Sequence, residues 1–222
     1  MGMPTFILAS NSPRRRELLA WTGWTFQVSP VDIDETPHSG EAPDVYVSRL
    51  ARAKAEAGAS QARSGCLILA ADTIVADGMV LLGKPSGPDE AVEMLLRLRG
   101  RTHQVYTAIH LISTGDGLPT ADRCCASVPM RAYRADEISA YVKTNDPLDK
   151  AGAYAIQHAE FHPAENFHGC YACVVGLPLC HLVRSMARLG FSPINEVPAV
   201  CQANLNYQCP VYAAVLRGED VE

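Results

Sequence analysis

The chain has 222 residues, 48% of them hydrophobic and 19% charged, with a formal net charge of −5, the balance of one ordinary globular domain with ample length for a core. That charge excludes a global basic field for recruiting nucleic acid or an acidic membrane. No apolar run approaches the roughly 20 residues of a membrane span. A cytoplasmic location is expected, and the eight cysteines are expected to be free thiols rather than a disulfide framework.

An apolar run from Phe6 to Ala9 predicts a short buried strand, and Glu17, Leu18, Leu19 and Ala20 predict a helix. Ser12 falls at the helix N-cap and Pro13 at its first position, which satisfies or omits the amide groups that a helix start leaves unpaired. Arg14, Arg15 and Arg16 therefore crowd a first turn that is already positive by the helix dipole, where natural sequences favour Asp and Glu. The triplet predicts an anionic ligand. Thr25 to Val28 suits a short strand before the acidic loop VDIDETPHSGEAPD, and a helix begins at Pro43, with Val47, Leu50, Ala51 and Lys54 at helical spacing. Cys66 to Ala71 suits a buried strand, with Asp77-Gly78 as a hairpin turn after it. A third helix spans about Pro88 to Arg99 and stops at Gly100.

His103 to Ile112 alternates like a strand, and CCASVPMRAYRA contains another, with Pro129 marking an edge or an irregularity. ADEISAYVKTN predicts a short helix, CYACVVG a strand, and LPLCHLVRSMARLG a helix ending before Gly190. The last stretch, Asn195 to Glu222, has no clear period and is expected to be a loosely attached tail, which divides the chain into a domain over 1–194 and a tail over 195–222. The alternation of strands and helices implies an α/β fold with a mixed sheet.

Asp72 directly follows the apolar run LILAA and is expected at the carboxyl end of a core strand, where open α/β sheets place ligands; a turn or cap role is the plainer alternative. Lys84, at the far end of the hairpin, either returns toward Asp72 or is solvated, and Lys54 either reaches the same region or snorkels to water. Asp32, Asp34 and Glu35 form a carboxylate cluster that suits a hard divalent ion or, as spacing alone favours, a solvated acidic loop. Cys170 and Cys173 form a CxxC near His158, His162 and His168, a weak zinc signal because residues three apart on a strand face opposite sides. A basic helix start, separate lysines and nearby carboxylates together describe a polyphosphate site. It is not a P-loop, since neither GxxxxGK[ST] nor GxGxxG occurs.

The segments LASNSPRRRELL, VDIDETP, YVSRLARAKA, AADTIVADG, LGKP, LRGRTHQVYTA, DKAGAYAIQ and VVGLPL, in this order, resemble the Maf (septum formation inhibitor-like) nucleoside triphosphate pyrophosphatases over roughly Phe6 to Phe191. The resemblance implies a central mixed sheet flanked by helices, two lobes with a deep cleft, and likeness to inosine triphosphate pyrophosphatases. It implies hydrolysis of a nucleoside triphosphate to the monophosphate and pyrophosphate with magnesium or manganese. Asp72 matches the proton acceptor, with metal ligation as its alternative role, and Glu35 joins it at the metal. Ser10, Arg15, Lys54 and Lys84 match polar positions of the cleft, and Arg14, Thr73 and Gln157 match the dTTP/UTP type at the three positions that separate subfamilies. One departure is the stretch HAEFHPAENFHG after Gln157, where the family has a glycine-rich turn; it is expected to leave the fold intact and to bear on base selection or rate. Two rival readings are a pyrophosphatase for 7-methyl-GTP or another modified nucleotide, and a non-catalytic regulator of cell division. The expected partners are the nucleotide and, as an open alternative, a second copy of the chain; neither nucleic acid nor a membrane is expected.

Overall fold

The computed structural model describes residues 3–115 and 117–221. Its spine is a mixed sheet in the order β2-β1-β3-β5-β6, with β4 paired to β3. β1 (Thr5–Leu8) runs parallel to β2 (Gln27–Val28) and to β3 (Cys66–Asp77), whereas β4 (Val80–Leu82), β5 (Thr102–Ser113) and β6 (Thr120–Pro129) join by antiparallel pairing. β3 and β5, of 12 residues each, are about 40 Å long at the usual rise of a strand. They run through both halves of the molecule.

Helix α2 (Pro43–Gln61) covers one face of the sheet, burying Val47, Leu50 and Ala51 against Ile74 and Ala108. The other face packs α1 (Pro13–Ala20), α5 (Tyr171–Val175), α6 (Leu179–Arg188) and α7 (Val197–Leu205) around Leu69, Ile109 and Cys173. A second core lies beyond the β3–β4 hairpin, where α3 (Pro88–Leu98) and α4 (Ala135–Val142) enclose Val75, Leu95 and Tyr133. The two cores make two lobes joined by the long strands. Two short 3-10 turns, Asp146–Asp149 and Ala151–Ala153, lie between α4 and the chain's return to the first lobe.

Three expectations are corrected here. CYACVVG is not a strand: Tyr171–Val175 is the helix α5, bounded by extended Cys170 and by Gly176 at φ 121°. A short apolar run looks the same in either state, and here Ala172 and Cys173 are buried against the sheet face rather than paired at its edge. The C-terminal tail is not loose, because α7 and α8 (Tyr212–Leu216) bury Val197, Cys201 and Val215. Arg184 of α6, which pairs with Asp122 at 2.6 Å, also donates to the carbonyls of Val215 and Glu219. Finally, Asp72 does not end its strand. β3 continues to Asp77, with Asp72 opposite Ala108 and Thr73 opposite Thr107 of β5.

Candidate nucleotide cleft

β1 is paired to β3 only as far as Leu8 opposite Leu69, and the chain then turns away through Ala9 and Ser10. Beyond that point β3 has lost its parallel neighbour, so the edge at Asp72 and Thr73 is open. Successive strand residues face opposite sides. Asp72 therefore meets Lys54 from α2, whereas Thr73 meets Arg15 from α1, and the cleft at the open edge collects both. Its cavity, of about 650 Å³, is lined by Ser10, Arg14, Arg15, Glu35, Lys54, Asp72, Thr73 and Lys84, all expected from the sequence.

Lys54 Nζ sits 2.5 Å from Asp72 Oδ1 and 2.6 Å from Glu35 Oε1, so one ammonium group bridges the two carboxylates. Glu35 is held there by its loop: Tyr46 donates to the Glu35 carbonyl at 2.8 Å, and Arg49 binds both Glu41 and the Thr36 carbonyl. Burial pushes the Asp72 carboxyl above the usual carboxylate range, against the pull of Lys54 and Arg15. A carboxyl group in that state is better placed to accept a proton near neutrality than an exposed aspartate.

Arg15 is fixed at three points: Nε donates to the Gly176 carbonyl at 2.9 Å, one terminal nitrogen to Thr73 Oγ1 at 3.1 Å and the other to Ser10 Oγ at 3.4 Å. Thr73 is bonded in turn to Thr107 Oγ1, and Thr107 to the Cys173 carbonyl. Gly176 is required, because φ 121° disfavours any side chain and a Cβ would lie 3.4 Å from Thr73 Oγ1. The start of α1 is itself largely satisfied. Pro13 has no N–H, and the Arg15 and Arg16 amides donate to Ser12 Oγ and Ser12 O. The cations that this end presents to the cavity are thus the guanidinium groups of Arg14 and Arg15, while Arg16 is exposed and does not line the cavity.

Other expected residues lie elsewhere. Asp32 and Asp34 are exposed outside the cavity lining, with Asp34 Oδ1 accepting from the Thr36 amide, so Glu35 alone of that cluster reaches the cleft. Gln157 is exposed on the turn beyond Ile156 and is not part of the lining. The departing stretch after it is packed through aromatic contacts. Phe161 stacks on Tyr141 with centroids 4.2 Å apart, and His158 meets the same ring at 4.7 Å. His158 and Glu160 have negative φ; the positive-φ residues of this stretch are His162 and Asn166. The residue that sequence reasoning passed over is Lys150, 7% exposed, which lines the cavity while its Nζ bonds Asp146 and Asp149 at 2.6–2.8 Å. Its signal was present in the segment DKAGAYAIQ, where a lysine precedes Gly152 at φ 69°.

An α/β protein with half-buried cations gathered around a buried carboxylate in an inter-lobe cleft is, chemically, suited to a small polyanion. The chain belongs to the Maf family: the Maf-like protein family matches residues 5–189. It is 46% identical over 192 residues to the dTTP/UTP pyrophosphatase of Dehalococcoides mccartyi, covering 86% of this chain and 85% of that protein. It is 49% identical to the protein of the same name from Myxococcus xanthus, covering 83% of this chain and 92% of that one. Among solved structures, a nucleoside-triphosphatase / dITP/XTP pyrophosphatase from Mycobacterium abscessus aligns with 14% identity over 59% of this chain and 76% of that one, at a TM-score of 0.40.

Proposed function

We propose that this chain hydrolyses dTTP and UTP to the nucleoside monophosphate and pyrophosphate, as its relatives are named to do. The observation that carries the reading is the buried Asp72 carboxylate at the open edge of β3, with Lys54 on it and Arg15 beside it. Arg14, Arg15 and Lys84 hold phosphate oxygens, and Ser10 and Thr73 keep the Arg15 guanidinium plane in place. Phosphoryl transfer depends chiefly on positioning and charge stabilisation, so these contacts supply most of what the reaction needs. Asp72 orients the attacking water and accepts its proton, while Lys54 keeps the carboxylate in register until the proton arrives.

The donor chemistry of the cleft fits a magnesium or manganese ion. Glu35 and Asp72 offer hard carboxylate oxygens, and the shared ammonium group of Lys54 marks a point where both already stabilise positive charge. When bound, such an ion neutralises phosphate charge and lowers the pKa of water. Gln157 is assigned to base selection on its match to the dTTP/UTP type alone, since it lies outside the cavity lining.

The test is release of monophosphate and pyrophosphate from dTTP, UTP, CTP, 7-methyl-GTP and ITP with magnesium or manganese. Turnover confined to dTTP and UTP supports the reading. Preference for 7-methyl-GTP would move the chain to the other pyrophosphatase type, and inactivity on every nucleotide would favour a binding protein.

A further inference from the structure

On the sheet face that carries α5, Thr107 of β5 is fully buried and does not line the cleft. Its Oγ1 lies 2.9 Å from Thr73 Oγ1 and 2.7 Å from the Cys173 carbonyl oxygen. A hydroxyl has a single proton and a carbonyl can only accept, so the Thr107 proton is committed to Cys173. The polarity of the neighbouring bond follows: Thr73 donates to Thr107. With its own proton placed there, Thr73 turns only lone pairs toward Arg15, whose terminal nitrogen donates to it at 3.1 Å.

The far end of this chain returns to the same arginine. The Cys173 carbonyl belongs to the short helix α5, and the two amides that could reach it from the next turn, those of Gly176 and Leu177, both donate to Ala172 instead. Thr107 satisfies that open acceptor, which would otherwise be buried unpaired. At the end of the same helix, the Gly176 carbonyl accepts from Arg15 Nε at 2.9 Å. The hydrogen bonds thus close on themselves, from Arg15 through Thr73 and Thr107 to α5 and back to Arg15. Thr73 and Thr107 stand directly opposite each other on β3 and β5. A position that needed only volume would be filled as well by valine, so the hydroxyl is the informative group.

We propose that Thr107 is a positioning residue for the phosphate-binding arginine: its hydroxyl fixes the direction of the Thr73 hydrogen bond and ties α5 to β5, which holds the Arg15 guanidinium in one orientation with its remaining N–H groups free for phosphate. Thr107 reaches the nucleotide only through Arg15. An orientation fixed before substrate arrives spares the reaction the ordering of a long, rotamer-rich side chain. The step from orientation to rate rests on the pyrophosphatase reading, whereas the closed set of hydrogen bonds does not.

The experiment compares Thr107→Val, which keeps the shape and loses the hydroxyl, with Thr107→Ser, which keeps the hydroxyl, each alone and combined with Arg15→Lys. With dTTP and magnesium, kcat/KM should fall about tenfold in Thr107→Val and stay within about threefold of wild type in Thr107→Ser. In the Arg15→Lys background, where the fork is gone, Thr107→Val should add less than about twofold. An unchanged kcat/KM in Thr107→Val, or the same loss with and without the arginine, would overturn the proposal; the second result is what a merely structural threonine gives. A readout without substrate separates positioning from the choice of reaction. In nitrogen-15 NMR spectra of the nucleotide-free protein, exchange of the Arg15 Nε proton with water should be slow in wild type and Thr107→Ser, and at least about tenfold faster in Thr107→Val. If that pattern appears while no nucleotide is turned over, the pyrophosphatase reading fails and the positioning role stands. Rapid exchange already in wild type, or one rate in all three proteins, overturns it. Should circular dichroism show Thr107→Val unfolded, the wild-type protein decides: scalar coupling of the Thr107 hydroxyl proton to the Cys173 carbonyl carbon supports the assignment, and its absence overturns it.

Discussion

Replacing Asp72 by Asn separates catalysis from folding at a single atom. Asn keeps an oxygen in the position that accepts from Lys54, and Lys54 retains Glu35 at 2.6 Å, so the local hydrogen bonds survive. What is lost is the ability to take a proton. For a positioned general base that loss is about 10²–10⁴-fold in rate, or about 3–5 kcal/mol of transition-state stabilisation. The effect on stability runs the other way. Burial raises the Asp72 pKa, and a carboxyl group with a raised folded pKa gives stability that is fully present below the unfolded pKa and is lost as pH rises through the folded one. At neutral pH the charge is therefore a cost to the fold that Asn removes, offset in part by the weaker partner left to Lys54 and Arg15. The variant is expected to melt within about 1 kcal/mol of wild type, or above it. Steady-state turnover of dTTP beside thermal unfolding at pH 7.5 reads both quantities. Near-normal turnover would remove Asp72 from the chemistry, and a loss of several kcal/mol in stability alongside the activity would make it a structural residue.

Arg15→Lys discards the fork that reaches Gly176 O and Thr73 Oγ1 together; kcat/KM should fall roughly 10–100-fold, the worth of one charge-assisted hydrogen bond, and an unchanged value would show that a point charge suffices. Gly152→Ala places a Cβ 2.9 Å from both methyl groups of Val75 at φ 69°, which should cost about 2–5 kcal/mol in urea denaturation from left-handed strain and overpacking; a wild-type midpoint would mean that the turn relaxes freely. His103 is buried against Tyr154, and burial lowers its pKa from 6.5 to about 4. The unfolded chain then gains a proton that the folded one refuses, so stability should fall by up to about 3 kcal/mol as pH drops from 6.5 to 4. His103→Gln should flatten that slope, and equal slopes in the two proteins would refute the assignment.

Much of the cleft is legible from the chain itself because local rules govern its parts. Ser12 and Pro13 mark the start of α1, Asp77-Gly78 marks the hairpin, and the helical spacing of Val47, Leu50 and Ala51 marks α2. Resemblance to the Maf family then names the polar residues. The sequence alone does not say which of them meet. Asp32 and Asp34 are chemically equal to Glu35, yet Glu35 alone faces Lys54, since Tyr46 and Arg49 pull the loop into one shape.

By itself, the order of residues determined the helix starts, the turns and the alternation that makes an α/β sheet, all of them consequences of backbone geometry within a few neighbours. Tertiary structure decided everything that depended on what lay opposite. It made CYACVVG a helix and packed the C-terminal segment as α7 and α8. It also carried β3 straight through Asp72, and it joined Arg15, Thr73, Thr107 and Cys173, from four separate elements, in one chain of hydrogen bonds. A short apolar run or an isolated hydroxyl carries no address of its own, and only the surface that buries it supplies one.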